Sequence, residues 1–127
     1  MKKRVVITGL GSVSPFGRGT EALVHGLADG RSSVRQAPDL GRIGGLRPRV
    51  AATVKGIDPK EIPRKYRRSM SAMSIFAFFA AQEALAQAGL CVGQWGGGRL
   101  GVALGSTVGS TQASEDFFKD FFTDHSL

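Results

Sequence analysis

Near its amino terminus the chain reads RVVITGLGSVSPFG, from Arg4 to Gly17. The β-branched and apolar residues of Arg4–Thr8 predict a short buried strand that ends at Gly9. A strand followed by Gly-x-Gly also opens dinucleotide-binding units, but the third glycine of that fingerprint would fall here at Ser14. No acidic residue with the required spacing follows at a second strand end. A structural turn is therefore the favoured interpretation of these glycines.

A short helix is predicted after this turn. Thr20 can cap it through its side-chain oxygen, it should run to about Asp29, and Gly30 can end it. Residues 31–60 are rich in glycine, proline and scattered arginines, and they predict loops with a strand around Val50–Val54. The first half of the chain is thus expected to be poor in regular structure.

The clearest helix begins at Ser69 or Ser71, either of which can cap it, and ends before Gly89. Its first half is apolar all round, which predicts burial on several sides. Glu83 and Gln87 are expected to mark its more hydrated half. This helix is the strongest single element that the sequence predicts.

The last third of the chain continues the alternation of strands and helices. Residues 99–105 predict a second buried strand, 105–110 a second glycine-rich turn, and 111–122 a final helix. Strands that alternate with helices indicate an α/β protein, with residues 1–127 forming part of one domain without an internal boundary. The final helix carries four phenylalanines that few predicted elements could cover: Phe117, Phe118, Phe121 and Phe122.

The composition limits the class of protein. The 127 residues are 42% hydrophobic, enough for a packed core, and include 18 glycines and one cysteine. A lone cysteine cannot form an internal disulfide or a cysteine-cluster metal site, so a reducing compartment is expected. The glycine-broken start does not qualify as a signal peptide, and the longest apolar run, Ile75–Ala81, is too short to span a membrane. We therefore expect a cytoplasmic protein.

The net charge of +7 is unevenly distributed. Residues 1–68 carry 15 of the 17 lysines and arginines but only 5 of the 10 acidic residues. The densest cluster is Arg64-Lys65-Tyr66-Arg67-Arg68, and such a cluster attracts acidic partners. Nucleic acid is one candidate for such a partner, but the sequence has no zinc finger, aromatic strand motif or recognition-helix signature, so we expect no nucleic-acid binding. An acidic protein fits at least as well, and a solvated basic surface without a partner is the alternative.

The residues alone do not assemble an active site. Cys91 follows a predicted helix end, where the helix dipole disfavours a thiolate nucleophile. His25 is most simply a packing or surface histidine. Asp124, His125 and Ser126 have the side chains of a catalytic triad, but adjacent residues of an extended tail point in different directions. No catalytic residue and no metal ligand is therefore assigned in this chain.

Three motifs in order give the chain a specific resemblance. The opening residues 4–17, the helix motifs at 71–77 and 84–90, and the strand and turn at 101–109 closely resemble the β-ketoacyl-acyl carrier protein synthases. These are the condensing enzymes of fatty-acid and polyketide synthesis. The resemblance covers nearly the whole chain and is poorest at 31–60 and 91–98.

The resemblance implies a thiolase-like layered α/β fold, of which this chain would be the incomplete N-terminal portion, normally in a homodimer. It also implies an acyltransferase that condenses an acyl thioester with malonyl-carrier protein. The family uses no metal or nucleotide, and the phosphopantetheine that carries its substrates belongs to the acyl carrier protein. The family's catalytic cysteine and two histidines would lie downstream of Leu127, so the 127-residue chain alone is expected to be inactive.

Two functional surfaces of the family fall within these residues. The segment that docks the acidic carrier protein matches Lys65 and Arg68 first, with Arg64 and Arg67 in support. Val108 matches a position that lines the acyl-chain pocket near the dimer interface, and ordinary core packing is the alternative for it. For the whole chain, a non-catalytic subunit resembling a chain-length factor and a free-standing basic module that binds acidic partners stay open.

Overall fold

The structure is a computed structural model that describes residues 3–91, 93 and 97–125. Helices form the larger part of its regular structure, and each of its strands has only two residues. The α-helices of this described part are α1 Thr20–Ala28, α2 Arg64–Arg67, α3 Ala72–Gln87 and α4 Thr111–Asp124. Its strands are β1 Val13–Ser14, β2 Gly17–Arg18, β3 Arg35–Gln36 and β4 Val50–Ala51, and its 3-10 helices are Pro38–Arg42 and Pro59–Glu61.

The strands pair as two small antiparallel ribbons. Strands β1 and β2 form a tight hairpin in which Val13 lies opposite Arg18. Within the turn, the Ser14 hydroxyl accepts a hydrogen bond from the Phe16 amide at 3.2 Å. Strands β3 and β4 enclose the loop-rich segment, so the strand predicted around Val50–Val54 exists in shortened form.

The two buried strands predicted at Arg4–Thr8 and Arg99–Gly105 are wrong as descriptions of this structure. Neither segment pairs with another strand of the described residues. Val5 is 92% exposed and Val102 is 82% exposed. A strand needs a neighbour that accepts and donates its backbone hydrogen bonds, and the described part of the chain offers none to these segments.

The predicted helix ends are largely confirmed. Gly30 and Gly89 follow α1 and α3 with φ angles of 64° and 66°, in the left-handed region that glycine adopts without steric cost. Both helices end in a Schellman motif, in which the residue after the glycine donates back into the last turn. At the start of α3, the Ser71 hydroxyl accepts from the Ser74 amide at 3.3 Å, so Ser71 rather than Ser69 is the cap.

The cap of α1 differs from the prediction. Thr20 is the first helical residue and does not cap the helix itself. The Glu83 carboxylate of α3 does so instead, because its Oε1 accepts from both the amide and the hydroxyl of Thr20 at 2.7 Å. Its Oε2 accepts from the Ser12 amide at 2.9 Å. One carboxylate thus joins the glycine turn, α1 and α3.

The opening glycine turn packs directly on the backbone of α3. A Cβ atom at Gly9 would lie 2.1 Å from the Ala84 carbonyl oxygen, and one at Gly11 would lie 1.8 Å from that of Ala80. Only glycine permits this approach. The Gln87 side chain also accepts from the amide of Leu10, which lies between the two glycines, at 2.5 Å. The interpretation as a structural turn is therefore confirmed. Gln87 is exposed and Glu83 half-buried, so they lie in the more hydrated half of α3 as predicted, and both side chains also accept hydrogen bonds from the turn.

The fully buried apolar side chains of the described residues are Ile62 and Phe79, each 1% exposed. The Arg18 guanidinium lies over the Phe79 ring at 4.0 Å from its centroid. On the other side of the hairpin, Gly26 of α1 lies so close to Phe16 that an added Cβ would be 2.3 Å from its ring. The hairpin, α1 and α3 therefore pack as one unit around a small core.

Substitution of Gly11 by alanine tests the close approach of the turn to α3. The added methyl group would collide with the Ala80 carbonyl, and we expect the free energy of unfolding to fall by about 1–3 kcal/mol. The urea midpoint measures this change. Gly44→Ala is the matched control, because an added Cβ there has no atom within 4 Å. Equal midpoint shifts for the two variants would contradict the packing argument.

Substitution of Glu83 by glutamine tests the carboxylate that joins three elements. Hydrogen bonds from the backbone amides of Thr20 and Ser12 hold the pKa of Glu83 below its ordinary value of 4.5. Its stabilising contribution is therefore present above pH 4.5 and is lost as the pH falls through the folded-state pKa. At neutral pH we expect Glu83→Gln to cost about 1–2 kcal/mol in the free energy of unfolding.

The pH dependence of the melting temperature separates this charge effect from packing. The difference between the parent protein and Glu83→Gln should be largest near neutral pH and should close in acid. Glu115→Gln, on the exposed surface of α4, is the control and should change little at any pH. A difference for Glu83→Gln that stays constant with pH would show that its charge is not what stabilises the turn.

Candidate functional site

The basic segment, residues 64–68, forms one turn of helix and its C-cap. Helix α2 begins after Pro63, whose carbonyl accepts from the Tyr66 amide at 2.9 Å. The side chains of Arg64, Lys65 and Arg68 are exposed. Arg67 is half-buried, and its Nε is buried without a hydrogen-bond partner in the described part of the chain. Three of the four predicted docking residues therefore face solvent.

The charges of the basic segment are not neutralised within the described part of the chain. Between residues 3 and 125, as far as the structure describes them, none of its four cations forms an ion pair. Lys65 instead places its Nζ at 5.5 Å from the centroid of the Tyr66 ring. Unpaired cations on one exposed turn produce a local positive potential that an acidic surface can approach.

Arg18 is a residue near this segment that the sequence did not single out. Its Nη1 lies 2.7 Å from Oε2 of Glu61, and its Nη2 donates to Oε1 of Gln82 at 3.0 Å. Glu61 is the last residue of the 3-10 helix that precedes α2. The ion pair joins positions 43 residues apart, so no local pattern in the sequence could have indicated it.

Val108 lies in the second glycine-rich turn and is 75% exposed. The Gly109 amide donates to the Ser106 hydroxyl at 3.0 Å, which closes this turn. Beside the turn, an apolar groove of about 440 Å³ separates α3 from residues 102–106. Its largest lining side chains are Met70, Met73, Phe78, Val102 and Leu104, and Val108 is not among its lining residues.

The phenylalanines of α4 form an exposed apolar surface, as the sequence predicts. Phe117 stacks on Phe121 with ring centroids 6.0 Å apart, and Phe118 stacks on Phe122 at 5.9 Å. Phe117, Phe118 and Phe122 are 46%, 52% and 73% exposed. These side chains contact one another along the helix and leave an apolar surface open.

The histidines and the cysteine do not converge in the described residues. His25 faces Glu21 at 3.7 Å on α1, and Cys91 is exposed. His125 follows α4 with a φ of 57°, and its ring lies 5.6 Å from that of Phe121. Ser126 of the tail motif lies outside the described residues.

The described part of the chain also lacks two other kinds of feature. It contains no group of three or more His, Cys, Asp or Glu side chains that could hold a metal ion. Among the same residues, no helix has both the length and the apolar character needed to cross a membrane.

Comparisons with known proteins show which proteins the chain resembles. The family described as "Beta-ketoacyl synthase, N-terminal domain" matches residues 2–122. The 3-oxoacyl-[acyl-carrier-protein] synthase 1 of Escherichia coli (strain K12) is 41% identical over 88 residues, 69% of this chain and 21% of that protein. Nodulation protein E of Rhizobium meliloti (strain 1021) is 38% identical over 90 residues, 71% of this chain and 22% of that protein.

A solved structure extends the similarity to the fold. The crystal structure of a β-ketoacyl synthase from Burkholderia phymatum STM815 superposes with a TM-score of 0.82 at 38% identity. The superposition covers 98% of this chain and 31% of that one. The predicted thiolase-like α/β fold is thereby confirmed. The chain spans about a fifth of the length of the curated relatives it matches. Since a single family domain accounts for residues 2–122, the chain belongs to the β-ketoacyl synthase family.

Proposed function

We propose that the chain forms the N-terminal part of a 3-oxoacyl-[acyl-carrier-protein] synthase. This acyltransferase condenses an acyl thioester with malonyl-carrier protein in fatty-acid or polyketide biosynthesis. Support comes from the match to the family's N-terminal domain and from a relative that carries this name. The observation that carries the proposal for this chain's own residues is the exposed basic segment, whose cations form no ion pair in the described part of the chain.

In the proposed reaction, the acyl chain is held as a thioester on a cysteine while malonyl-carrier protein loses carbon dioxide. The resulting carbanion attacks the thioester carbon, the carbon–sulfur bond breaks, and the cysteine thiolate leaves as 3-oxoacyl-carrier protein forms. Two histidines stabilise the oxyanion of the thioester. We place this cysteine and both histidines outside the 127 residues, so the chain alone should not condense.

No metal or resident cofactor enters this proposal, because the phosphopantetheine arm belongs to the carrier protein. The acidic carrier protein would dock on Lys65 and Arg68, with Arg64 beside them and Arg67 partly behind. Exposed charges of this kind mainly raise the association rate and orient the partner. We further propose a cytoplasmic homodimer in which the phenylalanines of α4 pack against later sequence or the partner subunit.

Reversal of two charges tests the docking surface. The double variant Lys65→Glu/Arg68→Glu should weaken binding of acyl carrier protein by roughly tenfold, mostly through slower association, because like charges then face each other. Stopped-flow association rates and equilibrium titration of the purified protein measure the change. Arg31→Glu/Lys119→Glu changes the net charge equally, outside the basic segment, and is the control. Equal losses for both double variants would refute the docking assignment.

Enlargement of Val108 tests the proposed acyl pocket. If Val108 lines the pocket, Val108→Phe should shorten it and lower kcat/KM for a dodecanoyl donor relative to a hexanoyl donor by about tenfold. The measurement is condensation with each donor by the purified complete synthase of which this chain is proposed to be the N-terminal part, since the 127 residues alone should not condense. Val34→Phe, at a valine that is 49% exposed, is the control. An unchanged ratio for Val108→Phe would place this side chain outside the acyl-binding path.

A further inference from the structure

The helical conformation of the basic segment depends on contacts with the rest of the chain. Helix α2 has four residues, and one helical turn is unstable in water without contacts from its surroundings. On its N-terminal side, Ile62 is 1% exposed and fixes the chain just before Pro63. On its C-terminal side, the cap of α3 begins at Ser71. Between these two points, the side chains of the segment project from a backbone fixed at both ends.

A negative charge lies close to the basic segment in the sequence. Glu61 is three residues before Arg64 in the sequence, and its side chain is 51% exposed. A free carboxylate in this place would offset one cation of the basic segment and would repel an acidic partner. The attraction between the basic segment and an acidic partner therefore depends on whether the Glu61 carboxylate is free or paired.

Arg18 pairs with this carboxylate from a rigid position. It lies in strand β2, its guanidinium rests on the buried Phe79 ring at 4.0 Å, and its Nη2 donates to Gln82 at 3.0 Å. Only its Nη1 is directed to Glu61, at 2.7 Å. The Arg18 side chain is 35% exposed, so the pair is partly shielded from water.

We propose that Arg18 is a positioning residue for the docking surface, which it keeps electropositive by holding Glu61 in an ion pair. The inference rests on the proposed docking of an acidic carrier protein. Arg18 acts through Glu61 rather than by touching the partner. Loss of Arg18 would release a free carboxylate three residues before Arg64, and loss of Glu61 would release an extra cation.

Four variants of the purified protein, titrated with acyl carrier protein, test this inference. Arg18→Gln should weaken binding roughly two- to fivefold at low salt, the range expected for one exposed charge pair. Glu61→Gln should strengthen it by a similar factor. The double variant Arg18→Gln/Glu61→Gln should return to the parent affinity, and Arg31→Gln is the control for loss of one paired arginine. The differences should shrink at high salt.

Recovery in the double variant is a result that a purely structural role of Arg18 would not produce. If Arg18 only stabilised the fold, removal of its partner as well would not restore binding. If Arg18→Gln and the double variant Arg18→Gln/Glu61→Gln lost binding affinity equally, the inference would be overturned. Should Arg18→Gln fail to fold, Glu61→Gln decides alone, because weaker binding by that variant contradicts the proposal.

The outcome also separates this inference from the proposed function. If Lys65→Glu/Arg68→Glu weakens binding but Arg18→Gln matches Arg31→Gln, the docking surface stands and the role of Arg18 is wrong. If the reversal of Lys65 and Arg68 leaves binding unchanged, the docking surface itself is wrong, and the role of Arg18 is wrong with it.

Discussion

The contact between the opening glycine turn and helix α3 determines where the other packed elements lie. Two glycines allow the turn to touch the helix backbone, and Glu83 and Gln87 supply the acceptors that its amides then need. Because the same Glu83 carboxylate caps α1, the turn, α1 and α3 are held at one point. The hairpin follows from this arrangement and brings Arg18 over Phe79 and beside Glu61.

The sequence predicted those parts of the fold that local chemistry determines. The sequence identified the glycines that end α1 and α3 and the serine that caps α3. Each of these residues acts on a helix turn close to it in the sequence. The roles of Glu83 and Gln87 could not be identified, because a polar residue on a helix looks the same whether it meets water or a distant amide. The apolar segments at 4–8 and 99–105 have strand-like sequences, but strand pairing also requires a neighbour.

The candidate site also has features that the sequence predicts and features that only the tertiary structure shows. The sequence alone could predict a cluster of positive charge, because four cations in five residues lie close together in any conformation. The inward position of Arg67 depends on the direction of one helical turn, and the pair between Arg18 and Glu61 depends on the hairpin. Both are consequences of tertiary structure. Only the family resemblance assigned Val108 to the acyl pocket. The structure shows that Val108 lies in an exposed turn beside the apolar groove, which the sequence alone could not indicate.

The bond between the Ser12 amide and Glu83 spans 71 positions, which has a consequence for synthesis on the ribosome. At a translation rate of about 5–20 residues per second, the glycine turn is synthesised roughly 4–14 s before its acceptor. During this interval the turn has no helix to pack on, and its amides are bonded to water. The turn can therefore pack only after α3 has been made, although the turn is made first.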